Sequence, residues 1–280
     1  MNLTRVSSVA AVILLAFAPL THADDYVIDM DLAPYLITAD DPADPIYANA
    51  GENLRNGVGS IFILFASGDG FICTASAISP THILTAAHCL RNGDDAVSQL
   101  LFVLNAGQPG PAIIPAVGFS VNPEFDALAP FLGAFASGDV AVVELQFEIP
   151  AGTETYELYG SSDELQKETQ HYGHGRSGVG EEGATGGADF FYGRTGKNQY
   201  DATFDPLIGL PFLDQLISDF DNGTGKNDAS PWYYSPAFNC PASIAKGKGN
   251  ASKCNVARGA ASELRDKGFG RLEVGIAPGD

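Results

Sequence analysis

Basic residues are scarce in this chain. Fifteen lysines and arginines stand against thirty-four aspartates and glutamates, giving a formal net charge of −19 and a pI near 4.4. A nucleic-acid surface needs a cationic face to neutralise phosphates, so the balance argues against nucleic acid as a partner. It argues against adsorption to anionic membranes for the same reason. Long apolar runs are missing as well. Beyond the first twenty residues none is long enough to cross a bilayer, so no membrane anchor is expected. Cysteine is sparse, four in 280 residues, with no CxxC pair and no histidine pair beside both cysteine pairs. That pattern is poor for zinc, and neither a metal nor a cofactor is expected. Asp219-Phe220-Asp221-Asn222-Gly223 offers oxygen ligands, but its spacing is not that of an EF-hand loop and no glutamate closes it. It reads as a tight turn.

What is present points to β structure. A hydrophobic content of 45% can fill a core, and thirty-two glycines with seventeen prolines imply many turns and short strands. The length suits one large β domain or two smaller ones. The N-terminus reads as an export signal: Arg5 is the positive region, Val9–Leu20 the short apolar region, and Thr21-His22-Ala23 the cleavage site. Cleavage is predicted after Ala23, and the destination is secreted or periplasmic. In an exported chain four cysteines imply two disulfides, for which three pairings are possible.

Taken in order, Asp24–Asn56 is polar, acidic and aperiodic. It reads as a propeptide or N-terminal extension with a cleavable bond at Arg55. Ser60–Ser67 and Phe71–Ile78 are strand-like runs joined by the turn signal Ser67-Gly68-Asp69-Gly70, which predicts a hairpin. His82–Ala87 is a third run, and Leu100–Leu104 and Ile113–Phe119 are further strands. Phe147–Glu168 reads as a connection between two β units, and Thr169–Gly173 as the entry to the second. Gly173–Gly187 is glycine-rich and predicts a mobile loop, with His171 and His174 as solvated loop histidines. Ala188–Tyr192 and Gln199–Phe204 alternate like strands. Asn250-Ala251-Ser252 matches a glycosylation sequon, a frequent chance occurrence.

Two motifs carry chemistry. Leu84-Thr85-Ala86-Ala87-His88-Cys89 places a histidine just past a β run, beside a cysteine. Imidazole titrates near neutral pH and can take and return a proton in one turnover. Fifty-one residues later, Gly138-Asp139-Val140-Ala141-Val142-Val143-Glu144-Leu145 sets an aspartate at the opening of a β-branched run. These stretches resemble the histidine and aspartate motifs of the trypsin/chymotrypsin-like serine proteases. Phe71-Ile72-Cys73-Thr74 resembles that family's strand with the partner cysteine.

The resemblance, over about Gly57–Asp280, implies an all-β fold of two antiparallel barrels. The first spans 57–150 and the second 151–280, incomplete at its C-terminus, with the site between them. It implies a polypeptide substrate, His88 as general base and Asp139 as the carboxylate that orients it. The local disulfides Cys73–Cys89 and Cys240–Cys254 are favoured. Each closes a loop of about fifteen residues, worth about 3 kcal/mol by chain entropy. Val58-Gly59 loosely resembles the inserted N-terminus of an activated member.

The family's nucleophile motif is Gly-Asp-Ser-Gly-Gly, and this sequence ends on Gly279-Asp280. Gly279 is the expected oxyanion-hole donor, and Asp280 the partner of an inserted N-terminus. The specificity-pocket region, Gly275-Ile276, carries no acid, so no strict Arg/Lys preference is expected. Ser177 in Gly175-Arg176-Ser177-Gly178 follows Asp139 too closely for a second barrel to come first, and reads as a loop serine. The expectation is a serine endopeptidase by family that is inactive as this 280-residue chain. The alternative is a non-catalytic, exported peptide-binding pseudo-protease. Nothing in the sequence indicates an oligomeric state.

Overall fold

Alternating apolar side chains close a barrel. Strand β2 (Val58–Phe65) buries Ile61, Ile63 and Phe65 at every second position. Strand β3 (Gly70–Ser79) does the same with Cys73, Ala75 and Ala77. A period of two turns one face of each strand inward, as a half-buried strand requires. With β4 (His82–Thr85), β5 (Val97–Leu104), β6 (Ala112–Val121) and β7 (Ala141–Leu145), they form a closed barrel in the order β2-β3-β4-β7-β6-β5. Its core gathers Ile61, Ile63, Phe65, Ile83, Phe102, Leu104 and Val143, each at most 1% exposed. Burying each such side chain contributes about 1.5–3 kcal/mol. The predicted hairpin and the three strands after it lie where expected.

The computed structural model describes residues 35–39, 41–50, 54–106, 110–126, 138–165, 167–179, 189–200, 202–203, 216–218, 271 and 274–276. The predicted signal peptide, Asp219–Gly223, Cys240, Asn250, Cys254, Gly279 and Asp280 fall outside them.

The second unit is a four-stranded sheet in the order β12-β1-β8-β9, built from β1 (Tyr35–Thr38), β8 (Glu168–Val179), β9 (Asp189–Gln199) and β12 (Val274–Ile276). The short β10 (Ala202–Thr203) and β11 (Leu216–Ile217) pair separately. The described residues are therefore of the all-β class, mostly strands with few helical turns: a closed six-stranded barrel plus a second sheet, which is open among the described residues. One departure from all-antiparallel pairing is β1 against β8, which run parallel.

Strand β1 lies within the aperiodic stretch 24–56. Leu36 is 3% exposed, Thr38 is fully buried, and the Thr38 hydroxyl donates to the Gly178 carbonyl at 3.1 Å. Farther on, Asp44 caps the 3-10 turn Pro45–Tyr47 by accepting the Ile46 N–H at 3.0 Å. Tyr47 is fully buried, and its hydroxyl donates to the Arg271 carbonyl at 2.5 Å. The Arg271 guanidinium in turn pairs with Asp44 at 2.8 Å. This segment is woven into the second sheet, whatever becomes of residues before it. Four residues are too few to show a period, which is why sequence reading left β1 unmarked.

The bond after Arg55 leads into an enclosed turn. The Val58 N–H donates to the Arg55 carbonyl at 3.1 Å. Asn56 accepts the Glu154 N–H at 2.7 Å and donates to the Gly152 carbonyl at 3.1 Å. A Cβ on Gly57 would lie 2.1 Å from the Glu154 carbonyl oxygen, so only glycine fits beneath this strap. The strap is the start of the predicted connection between the two β units.

The predicted glycine-rich loop is a strand as far as Val179. His171 and His174 are strand residues, and His174 is only 6% exposed. The glycines serve packing here. A Cβ on Gly193 of β9 would come within 2.9 Å of the His174 ring, so the missing side chain is the space the imidazole fills. Ser177 is likewise no loop residue. It lies 6% exposed on β8, in register with Leu36 of β1.

Candidate active site

Strands β4 and β7 are antiparallel neighbours, with Thr85 opposite Ala141. The chain leaves β4 at the edge where it enters β7. His88, three residues after Thr85, and Asp139, two before Ala141, therefore emerge at the same end of the barrel. This register is what converts a 51-residue separation into contact.

The turn that carries His88 is a 3-10 turn, Ala87–Leu90, in which Ala87, Cys89 and Leu90 are buried. Three anchored side chains leave the histidine as the member that faces the rim. Its Nδ1 lies 2.6 Å from Asp139 Oδ2, and its backbone N–H donates to Asp139 Oδ1 at 2.8 Å. Both carboxylate oxygens are thus engaged by one residue, one on the ring and one on the main chain. The side chains are 9% and 19% exposed. An ionised carboxylate can only accept, so Nδ1 carries the proton and Nε2 is left as an acceptor. The arrangement suits an imidazole that takes a proton at Nε2 while the carboxylate stabilises the resulting charge.

The disulfide Cys73–Cys89 ties this turn to β3, with its Cα atoms 6.3 Å apart. Its Cys89 sulfur lies 3.7 Å from His88 Nε2. Potential ligand atoms of Cys73, His88 and Cys89 sit within 4.8 Å of one another. Both sulfurs are consumed by the disulfide, so the cluster is a staple and does not offer the thiolates a metal requires.

Several supporting residues were not singled out from sequence. Arg91 closes the turn with two bonds to Asp126, Nε to Oδ1 and Nη2 to Oδ2, both 2.7 Å. That bidentate contact holds the Asp126 carboxyl below its ordinary range and raises the Arg91 guanidinium. Both groups are partly exposed, so its effect is on geometry more than stability. The Thr85 hydroxyl donates to the Thr74 carbonyl at 2.8 Å, and the Thr74 hydroxyl accepts the His174 N–H of β8 at 2.8 Å. Threonine in Leu84–Cys89 is the only local hint of these links.

The remaining predicted residues separate cleanly. His171 lies on β8, with Thr169 Oγ1 2.8 Å from its Nε2 and its ring edge-on to Tyr200. Burial lowers its pKa to about 4. The described part of the molecule thus brings together His88, Asp139, Cys73 and Cys89, and leaves His171, His174 and Ser177 in the second sheet.

Residues 51–187 match the trypsin family model, spanning the barrel, the connection between the two β units and β8. Among solved structures, the chain is similar to HL collagenase at 17% identity and a TM-score of 0.44, covering 65% of this chain and 74% of that one. It is also similar to a protein designated GrC at 16% identity and a TM-score of 0.43, covering 58% of this chain and 68% of that one. The similarity to the trypsin family thus covers residues 51–187, just under half of the chain.

Proposed function

We infer that this chain carries the proton-transfer half of a serine endopeptidase acting on exported or extracellular polypeptides. The observation that carries the reading is the 2.6 Å contact between His88 Nδ1 and Asp139 Oδ2 at the end of two adjacent strands. In the reaction, a serine hydroxyl attacks the scissile carbonyl while its proton passes to His88 Nε2. His88 returns that proton to the leaving amine, and Asp139 stabilises the imidazolium between the two steps. Water then repeats the cycle on the acyl-enzyme. The Gly279 N–H is assigned to the oxyanion, where the absence of a Cβ lets the backbone approach. Asp280 is assigned to pairing with an inserted N-terminus.

No Gly-Asp-Ser-Gly-Gly occurs within the 280 residues. Gly279-Asp280 match the first two residues of that motif, so the hydrolytic step is assigned to a chain that carries the serine after them. The second reading is a groove that binds peptides without cutting them. A fluorophosphonate probe separates the cases. It should leave the 280-residue protein unlabelled, and label a version continued by Ser-Gly-Gly and the closing strands of an intact relative. His88→Ala should abolish hydrolysis by that continued protein. Hydrolysis that survives His88→Ala would falsify the reading, and peptide binding without turnover in both forms would establish the alternative. Export is assigned to residues 1–23, so exported protein should begin at Asp24 on N-terminal sequencing.

A further inference from the structure

Thr74 stands where three elements meet. Cys73, immediately before it, is bonded to Cys89, the neighbour of His88. Its carbonyl accepts the Thr85 hydroxyl at 2.8 Å, at the end of the strand that delivers His88. Its own side chain faces the second sheet: the hydroxyl accepts the His174 N–H at 2.8 Å and lies 3.4 Å from the His174 carbonyl.

The β8 side of this contact is built to meet it. The β8–β9 ladder pairs Gly173 with Arg194 and Gly175 with Asp189, and its register breaks between Gly173 and Gly175. His174 sits in that break, 6% exposed, and its N–H points out of the ladder to the Thr74 hydroxyl of β3. A buried backbone N–H must find an acceptor, and here the acceptor is a side chain of the barrel. The bulge therefore directs a backbone donor from one sheet into the strand that the disulfide links to the histidine turn.

We propose that Thr74 is a positioning residue for His88, coupling the second sheet to the histidine turn. The proposal rests on the reading of His88 as the base. Two routes run from Thr74 to that turn, the Thr85 hydroxyl and the Cys73–Cys89 bond. A shift of Thr74 is transmitted by both to the residues on either side of His88. A base displaced by a fraction of an ångström loses alignment with its carboxylate, and alignment is what such a pair contributes.

The test uses the 280-residue protein and needs no turnover. In protein labelled with ¹⁵N-histidine, the His88 Nδ1 proton reports directly on the bond to Asp139. Thr74→Val keeps the shape and removes the hydroxyl; Thr74→Ser restores it. We expect the His88 Nδ1 proton to exchange roughly tenfold faster in Thr74→Val, about the net effect of one hydrogen bond, and to return to the parent rate in Thr74→Ser. An unchanged proton in a folded Thr74→Val overturns the proposal, even if unfolding shows a loss of stability, because Thr74 is then structural only. If Thr74→Val does not fold, Thr85→Val cuts the same coupling at its β4 end, and an unchanged His88 proton there overturns it equally. Asp139→Asn is the separate control: if it leaves the His88 proton of the parent protein unaltered, the base reading fails and the fault does not lie with Thr74.

Discussion

The Thr38 hydroxyl donates to the Gly178 carbonyl at 3.1 Å, across 140 residues of chain, and fixes a parallel pairing between β1 and β8. β1 also pairs on its other side with β12, so one four-residue strand stitches an early and a late part of the chain onto the second sheet. Residues 35–39 and 41–50 therefore belong to the folded body. Tyr47, fully buried with its hydroxyl on Arg271, is the most sensitive point. Tyr47→Ala should cost about 3–5 kcal/mol, the range for deleting a buried large aromatic. Urea unfolding checks this. A loss within experimental error of zero would return the segment to the status of a removable extension.

Asp139 Oδ2, 2.6 Å from His88 Nδ1, favours the proton on that nitrogen of the ring. Asp139→Asn keeps the shape but turns the acceptor into an amide that can donate. The ring is then free to adopt the other tautomer, with the Nε2 lone pair lost. In the serine-continued protein, kcat should fall about 10⁴-fold with KM little altered, as expected for a triad histidine in the wrong tautomer. A loss below tenfold would show that the 2.6 Å contact orients a ring that does no proton transfer.

The disulfide staples β3 to the turn that carries His88. Removing it by Cys73→Ser with Cys89→Ser should cost about 3 kcal/mol, the loop-closure value for this separation. It should also loosen the turn, seen as faster amide exchange at Ala87–Leu90. Peptide mapping of non-reduced protein is the companion measurement. It should yield Cys73–Cys89, and Cys240–Cys254 as the remaining pair. A Cys89–Cys240 peptide would contradict the staple.

Which features could be read from sequence follows from how local their signals are. The barrel strands announce themselves because Ile61, Ile63 and Phe65 alternate within eight residues and a turn signal follows at once. The His88 and Asp139 motifs each combine a chemical side chain with a strand, so both local pattern and order are readable. Their contact is not local; it needs the Thr85–Ala141 register. β1 is too short for a period, and its partners lie far along the chain. Strand β8 failed for another reason. Gly173 and Gly175 have the composition of a loop, but in the fold the break between them turns His174 toward β3 and Gly193 leaves space for its ring. Thr74 meets His174 through one side chain and one backbone group, 100 residues apart, and no sequence period encodes such a pair.

His171 gives the second sheet a pH dependence of definite sign. Burial lowers its folded-state pKa from 6.5 to about 4, because charging the ring in that setting forfeits solvation. Among the described residues its contacts are neutral: Thr169 Oγ1 lies at Nε2, and the Tyr200 ring meets it edge-on. Between these two pKa values the unfolded chain binds a proton that the folded chain refuses. Stability contributed by neutral His171 is thus whole above about pH 6.5 and lost as the pH falls toward 4, by up to about 3 kcal/mol. Substituting His171→Phe removes the titration while keeping a ring against Tyr200. Urea unfolding at pH 7 and at pH 4.5 should show a smaller drop for the variant than for the parent. Parallel pH profiles for the two proteins would mean that His171 is already solvated in the folded chain, and that the acid sensitivity of the sheet lies elsewhere.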